Sequence, residues 1–209
     1  PGVQKAPLVL GVAVGDSAIA QIMEDGNVRV LGSGISGLAG TCAEIPLAPD
    51  LGLDAAWPVA LPGPAVHVSV GVLHACAVVA NEFGTATANV VYCWGSDNGR
   101  ALGGTGGDVG DRFSPVYRDG RMPIPDGAVA VSVGDRVTMV LYASGDLYCW
   151  GAAGLGECGY GQGSSAAGAA LPDARGFVPT GREVYQVATS DFHTCVLGRM
   201  LPAGTAVGA

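Results

Sequence analysis

The sequence predicts an all-β protein assembled from repeated small antiparallel sheets, and three observations predict it. Glycine accounts for 35 of the 209 residues, about twice its usual share, which suits tight turns that need positive φ angles. Charged residues are only 13% of the chain, too few for the polar faces of long amphipathic helices. Short alternating apolar runs recur about every 60 residues, as expected of repeated structural units.

Four segments of the chain align with one another. The position of the first turn in each segment is occupied by Gly15, Gly71, Gly134 and Ser190. The first three segments end at a closing glycine, at Gly32, Gly95 and Gly151. Each segment is typical of two strands around a turn, and the second is lengthened by an insertion at Asn81–Thr87. We expect repeats at 8–64, 65–127, 128–181 and 182–209, the last of them incomplete.

Units of this length with several short strands are typical of the blades of a β-propeller. One blade cannot bury both faces of its sheet, so neighbouring blades must stack. The chain has material for about three and a half blades. We therefore expect a single incomplete propeller over 1–209, with exposed strand edges at its open ends.

The repeated positions carry a characteristic set of residues. The second copy has the complete set: Gly71, His74, Cys76, Tyr92, Cys93, Trp94 and Gly95. The third copy keeps Gly134, Tyr148, Cys149, Trp150 and Gly151 but has Val137 and Met139 in place of the histidine and the first cysteine. The first copy is degenerate, and the fourth keeps His193 and Cys195 and then stops before its tryptophan. This pattern resembles the repeat of the regulator of chromosome condensation family.

The resemblance implies a propeller that closes with seven blades in complete family members, whose best-known activity is guanine-nucleotide exchange on a Ran-type small GTPase. This chain has neither a complete ring nor a basic surface, so exchange is the less favoured function. Because Trp94 and Trp150 recur at one repeat position, we expect them to pack between blades. His74 and His193 also share a position and are expected to be hydrogen-bonded structural residues.

Disulfides are one interpretation of the cysteines. Cys76 and Cys93 fall on adjacent antiparallel strands of one predicted blade, which allows a cross-strand bridge, and bacterial members of the family often carry cysteines at both positions. Cys149 has Met139 opposite it, so it is either free or paired locally with Cys158. Oxidised pairs favour an extracellular or periplasmic location, with a cytoplasmic protein that has six buried thiols as the alternative.

Two cysteines have no partner in the sequence. By the repeat register Cys195 would pair with a cysteine in the missing part of the fourth copy, and Cys42 has no evident mate. A zinc site is the third interpretation of the cysteines, although no C-x-x-C pair exists and Cys149 and Cys158 are too widely spaced for a zinc knuckle.

Two glycine motifs suggest other functions. Gly32–Gly37 satisfies G-x-G-x-x-G after a short apolar strand, which is the pattern of a flavin- or nicotinamide-dependent oxidoreductase. A pyrophosphate site needs a helix directly after these glycines, but Pro46 and Pro49 would break one. The same glycines also coincide with repeat positions. Gly103–Asp111 resembles a calcium-binding nonapeptide, but Gly110 stands where a large apolar residue is needed.

The charge, the apolar runs and the variable loops together favour a protein-binding scaffold. The net charge is −8 and the basic residues are scattered singly, which argues against nucleic acid. No apolar run is long enough to cross a membrane. We find no catalytic constellation and expect no cofactor or metal. The expected contact loops are Asn81–Thr87, Gly103–Gly120 and Gly161–Gly176, and self-association through the open propeller edges is the other interaction we expect.

Overall fold

The computed structural model of the protein describes residues 8–32, 35–41, 58–85, 87–103, 107–110, 116–152, 154–160 and 176–201. Within these ranges the strands form four separate antiparallel sheets in chain order. Sheet 1 consists of β1 (Val9–Val14), β2 (Ala18–Met23) and β3 (Val28–Gly32). Sheet 2 consists of β4 (Ala65–Val70), β5 (His74–Val79) and β6 (Val90–Gly95). Sheet 3 consists of β7 (Ala128–Val133), β8 (Val137–Tyr142) and β9 (Leu147–Gly151). Sheet 4 consists of β10 (Arg182–Thr189) and β11 (Thr194–Met200).

The described helical segments are all short. They are α1 (Val116–Asp119) and three 3₁₀ turns at Ile35–Gly37, Glu82–Gly84 and Asn98–Arg100. The all-β prediction is confirmed. Sheets of three, three, three and two strands also agree with about three and a half repeats.

The first hairpin of every sheet closes with the same backbone hydrogen bond. The N–H at the turn position donates to the carbonyl three residues later, and the pairs are Gly15–Ala18, Gly71–His74, Gly134–Val137 and Ser190–His193, at 2.8–2.9 Å. Four turns with one geometry place the first strands of the four sheets in equivalent positions. The sequence repeat is therefore also a repeat of backbone hydrogen bonding.

The turn glycines lie in contact with one another from sheet to sheet. A Cβ atom built on Gly15 would overlap the carbonyl oxygen of Gly71, one on Gly71 would overlap that of Gly134, and one on Gly134 would overlap that of Ser190. None of these glycines has a positive φ angle, so glycine is required here by close backbone approach rather than by turn conformation.

The second hairpins of sheets 1 and 3 use a different device. Gly26 has a φ of 80° and Gly145 a φ of 85°, which are left-handed conformations that favour glycine. At the first of these turns the backbone N–H of Asn27 donates to Asp25 Oδ1 over 2.9 Å. These hydrogen bonds from Asn27 hold the pKa of Asp25 below its ordinary value.

The core follows from sheets stacked face to face. Every residue of β5 and of β8 is buried, because each of these middle strands lies between two neighbouring sheets and two neighbouring strands. One cluster of buried apolar residues runs through sheets 1 to 3, and a smaller one lies between sheets 3 and 4. Burial of these faces is the main stabilising contribution to the stack.

In the connection that follows each of the first three sheets, one residue forms a backbone hydrogen bond with the last strand of that sheet. The backbone N–H groups of Val59, Met122 and Val178 donate to the carbonyl oxygens of Val28, Val91 and Leu147, each over 2.8–2.9 Å. Each bond satisfies a carbonyl group on the last strand of a sheet. This cover protects edges that would otherwise be free to pair with another chain.

Both ends of the described stack expose apolar side chains. On β1, Val12 is 59% and Val14 is 70% exposed. On sheet 4, Leu197 is 54% exposed, whereas its equivalents Val78 and Leu141 in sheets 2 and 3 are buried. These are the faces that an adjacent sheet covers in the middle of the stack.

We expect Gly71→Ala to lower the free energy of unfolding by about 1–3 kcal/mol, because the added methyl group would force sheets 2 and 3 apart. Gly154→Ala is the matched control, since a Cβ there meets no atom within 4 Å. Urea unfolding followed by circular dichroism measures both variants. Equal destabilisation by the two substitutions would contradict the close-contact explanation.

Candidate protein-binding surface

Most of the residues singled out by the repeat lie between sheets and stabilise the stack. Trp94 Nε1 donates to the carbonyl oxygen of Leu38 in the preceding repeat over 2.9 Å, and Trp150 Nε1 donates to that of Ala101 over 2.8 Å. Both indoles are buried. Each tryptophan therefore fills an inter-sheet space and also satisfies a loop carbonyl group of the preceding repeat.

The two repeat histidines have different environments. His74 is completely buried, and its Nε2 lies 2.8 Å from Thr138 Oγ1 in the next sheet. Burial lowers the pKa of His74 to about 4, so the imidazole is neutral at physiological pH. His193 is exposed on sheet 4. The difference arises because a neighbouring sheet covers His74 and no described element covers His193.

Two glycines of the G-x-G-x-x-G motif, Gly32 and Gly37, lie within the described residues and have a structural explanation. Ser33 and Gly34 lie outside the described residues, but Ile35–Gly37 forms a 3₁₀ turn. Gly40 lies three residues after this turn, and a Cβ there would meet Val59 at 2.7 Å and Trp94 Nε1 at 3.1 Å. The segment after β3 thus receives the tryptophan of the next sheet. Gly32 and Gly37, the two described glycines of the motif, have positive φ angles, and a Cβ on Gly32 would overlap the carbonyl oxygen of Ser17.

Two disulfides link cysteines within single repeats. Cys76 and Cys93 are directly opposite each other on β5 and β6, with Cα atoms 4.1 Å apart. Cys149 on β9 bonds to Cys158 in the following loop, with Cα atoms 5.5 Å apart. Cys195 is free and exposed, and Cys42 lies outside the described residues. In 8–32, 35–41, 58–85, 87–103, 107–110, 116–152, 154–160 and 176–201 no cluster of three or more His, Cys, Asp or Glu residues could hold a metal.

The insertion of the second repeat forms a supported loop at the outer edge of sheet 2. Its backbone turns back on itself through Gly84 N–H to Asn81 O (2.8 Å) and is tied to the preceding connection by Phe83 N–H to Pro62 O (2.9 Å). Glu82 accepts hydrogen bonds from Tyr92 Oη at 2.5 Å and from Arg121 Nε at 3.0 Å. Burial and the bond to Glu82 raise the pKa of Tyr92 above its ordinary value, so it is a hydrogen-bond donor throughout the physiological range.

Phe83 projects from this supported loop. Its side chain is 63% exposed, and its backbone adopts φ 51°, ψ 21°, a left-handed conformation that bulky residues rarely occupy. An exposed aromatic residue on a strained but well-anchored backbone is typical of a functional position. Sequence reasoning selected the loop but did not select Phe83, because neither its exposure nor its φ angle leaves a signal in the sequence.

A second exposed aromatic residue lies on the same outer edge. Helix α1 is held against β6 by the bond from Cys93 N–H to Gly120 O, 2.8 Å long. Val116 is buried beneath it, whereas Tyr117 is 48% exposed. Arg121, which contacts Glu82, comes directly after this helix. The Phe83 loop and α1 are thereby joined into one surface, here called the sheet 2 edge surface (Glu82, Phe83, Tyr117 and Arg121).

The other predicted loops contribute less. Within Gly103–Gly120 the described Asp108 accepts a hydrogen bond from the backbone of Asp97 over 3.0 Å, so its carboxylate stabilises a turn. Residues 104–106 and 111–115 of that loop, and 161–175 of Gly161–Gly176, lie outside the described ranges. In the part of the chain that the structure covers, no helix is long and apolar enough to cross a membrane.

The stacked sheets, the axial glycines and the inter-sheet tryptophans define a β-propeller of the RCC1 type. Yeast RCC1 (Prp20), solved in complex with Kap60, superposes with a TM-score of 0.65 at 20% identity. Prp20p from Saccharomyces cerevisiae, described with its binding properties to Gsp1p and histones, gives 0.68 at 20% identity, and human WBSCR16 gives 0.62 at 15%. The resemblance stated from the repeats is thus confirmed at the level of the fold.

These likenesses have clear limits. They cover 93–94% of this chain but only 43–45% of the solved propellers, so the chain spans less than half of their length. No protein-family model matches the sequence, and no curated protein sequence matches it. At this identity the comparison shows the fold alone.

The buried His74 predicts a stability that falls in acid. The unfolded histidine has its ordinary pKa of 6.5 and the folded one a pKa of about 4, so below pH 6.5 the unfolded state takes up the proton first. Stability is fully present above pH 6.5 and is lost as pH falls toward 4, by at most about 1.4 kcal/mol per pH unit.

Urea midpoints measured between pH 7.5 and 4.5 test this prediction. We expect His74→Gln to flatten the dependence on pH relative to the parent protein. His193→Gln is the matched control, because it makes the same substitution at an exposed side chain. Parallel curves for the parent protein and His74→Gln would contradict the prediction.

Proposed function

We propose that this chain is a non-catalytic β-propeller scaffold that binds a protein partner through the sheet 2 edge surface. One observation carries the proposal: Phe83 is held outward in a left-handed backbone conformation by a loop that Glu82 anchors to Tyr92 and Arg121. Exposed aromatic residues that are already fixed in place contribute strongly to binding, because little conformational freedom is lost on association.

The chemistry of the surface indicates the kind of partner. The chain carries a net charge of −8, and such a field accelerates association with a protein of opposite charge. Phe83 and Tyr117 would occupy apolar pockets of that partner, with Arg121 already neutralised by Glu82 and Asp126. We therefore propose a basic protein partner that offers an apolar pocket, and no nucleic acid.

Cross-linking identifies the partner and substitution tests the contact. Replacing Phe83 with a photoreactive phenylalanine analogue should cross-link the partner in extracts of the native host. With the purified partner, we expect Phe83→Ala to raise Kd by about 10- to 30-fold, as for an aromatic hot spot. Titration by biolayer interferometry at two salt concentrations measures this change and its electrostatic part.

Two further variants test whether the loss of affinity is specific to the Phe83 side chain. Leu155→Ala removes an apolar side chain that is 77% exposed in the turn after β9, and it should leave Kd unchanged. Phe83→Gly should reduce binding while keeping or raising stability, because glycine tolerates the left-handed backbone. An unchanged Kd for Phe83→Ala would overturn the proposal.

Guanine-nucleotide exchange is the second candidate, and the observation that favours it is the likeness to Prp20p, described with its binding to Gsp1p. The chain spans only 44% of that protein. Exchange activity therefore does not follow from the likeness and has to be assayed directly. Release of a fluorescent nucleotide from a Ran-type GTPase, accelerated by this protein, would replace the scaffold proposal.

We also propose that the protein works in an oxidising compartment, outside the cytoplasm, because its two short-range disulfides persist in such compartments. Alkylation of the protein from its native source, followed by mass spectrometry, should find Cys76, Cys93, Cys149 and Cys158 blocked. Quantitative alkylation of all four before reduction would place the protein in the cytoplasm instead.

A further inference from the structure

The first strands of sheets 2 and 3 are linked by side chains of β4 that accept hydrogen bonds from the backbone of β7. His67 Nδ1 accepts from the N–H of Val131 over 3.4 Å. Ser69 Oγ accepts from the N–H of Val133 over 3.0 Å. Each acceptor thereby satisfies an N–H group on the free edge of the following first strand, which has no neighbouring strand on that side.

The space between sheets 1 and 2 lacks the equivalent acceptor. Gly11 of β1 lies four residues before its turn glycine, where β4 has His67. Val68 of β4 is the equivalent of Val131, and it is only 7% exposed. Among the described residues no hydrogen bond joins its backbone N–H to sheet 1. A buried N–H group without an acceptor lowers stability, so a ligand that supplied an acceptor would be favoured there.

Strand pairing directs this N–H group away from β5. The first hairpin of sheet 2 closes with the bond from the N–H of Gly71 to the carbonyl oxygen of His74. Hydrogen-bonded and non-hydrogen-bonded pairs alternate along an antiparallel ladder. The pair Val68–Ala77 lies three positions from the closing pair and is therefore not hydrogen-bonded. The N–H of Val68 consequently points from the free edge of β4.

A cleft of about 440 Å³ lies between β1 and β4 at this edge. Gly11 and Val68 line it, and Ile22 and Ala65 add apolar walls. The nearest atoms to a Cβ built on Gly11 belong to Ile22, at 3.6–3.9 Å, which is ordinary van der Waals contact. The cleft therefore has room for a group that glycine does not supply.

Two β-bulge residues form the mouth of the cleft. The register between β1 and β2 skips Leu10, and the register between β4 and β5 skips Val66. A bulge turns a side chain out of the regular ladder, and Leu10 is 64% and Val66 53% exposed. Both line the cleft. It is thus open to solvent between two apolar side chains.

The next inter-sheet space indicates which chemical group fits. There the half-buried imidazole of His67 lies at the position of Gly11 and offers its Nδ1 to the N–H of Val131. Burial lowers the pKa of His67, which favours the neutral ring with an acceptor nitrogen. Among the described residues no Asp, Glu, Lys or Arg lines the cleft, so a charged ligand would lose its hydration without gaining an ion pair.

We propose that the cleft between sheets 1 and 2 binds a small neutral azole, a nitrogen heteroaromatic ring whose acceptor nitrogen receives the N–H of Val68. The ring takes the place of the side chain that Gly11 lacks, and its apolar substituent lies between Leu10 and Val66. Both sheets of the site are described in full, and the site is independent of the role proposed for Phe83.

Benzimidazole and indole are the probes that test the proposal. They have the same shape and are both neutral at neutral pH, but only benzimidazole has an acceptor nitrogen. In a nuclear magnetic resonance titration of isotope-labelled protein, we expect benzimidazole to move the amide proton of Val68 downfield. It should bind about 3- to 10-fold more tightly than indole, which is the effect of one hydrogen bond. The amide of Val70 is the internal control, because Val70 does not line the cleft.

A substitution that fills the cleft should abolish binding. Gly11→His supplies the imidazole from within, and the φ angle of Gly11 is not positive, so the backbone accepts a side chain. Ile19→His is the matched control, because Ile19 is 38% exposed on the opposite face of sheet 1. It should leave Kd for benzimidazole unchanged. Circular dichroism establishes that both variants are folded.

A substitution that empties the next space should create a second site. His67→Gly removes the acceptor of the Val131 N–H and leaves the space between sheets 2 and 3 in the state of the cleft. We expect the stoichiometry of benzimidazole to rise from one to two, with a new downfield movement of the Val131 amide proton. This gain of binding does not depend on the folding of the Gly11→His variant.

Three outcomes would overturn the proposal. Equal affinities for benzimidazole and indole would mean that the Val68 N–H does not select the ligand. Binding of benzimidazole that survives Gly11→His in a folded protein would locate the ligand elsewhere. Binding of a capped histidine peptide, with no response to benzimidazole, would assign the cleft to a polypeptide side chain instead. Failure of the Phe83 experiments would leave all three measurements unaffected.

Discussion

The close approach of each turn glycine to the carbonyl oxygen of the next turn is the constraint on which the rest of the structure depends. Gly15, Gly71 and Gly134 allow backbones of successive sheets to touch near the axis. That spacing brings each sheet near enough for Trp94 and Trp150 to reach loop carbonyl groups of the preceding repeat. It also encloses His74 beside Thr138. A wider spacing would leave all of these buried polar groups unpaired, at considerable cost.

The repeat made most of the fold predictable from the sequence. Four aligned segments locate the sheets, since a turn with fixed residue spacing produces the same hairpin each time. The glycine motif at Gly32–Gly37 was ambiguous only when it was considered alone. When the motif is aligned with the later copies, its glycines fall in the segment that accepts Trp94, because equivalent glycines recur before and after each closing strand.

The candidate surface was less predictable, for a physical reason. The insertion at Asn81–Thr87 has no counterpart in the other repeats, so periodicity carries no information about it. Glu82 and Arg121 are 39 residues apart, and their contact depends on how α1 returns to the edge of β6. Likewise, the sequence left Cys149 with two fates, and only the path of the loop after β9 brings Cys158 to it.

The exposed faces at the two ends of the stack are unlike each other. One presents Val12 and Val14 on the first strand of sheet 1, and the other presents Leu197 on sheet 4. Every interior contact joins one kind of face to the other, so copies of this chain that adhered through these faces would join head to tail. Such heterologous contacts either close into a ring or continue as a filament. Contacts of that kind would preserve the direction of the repeat, so a two-fold contact between identical ends of the described stack would not reproduce its interior packing.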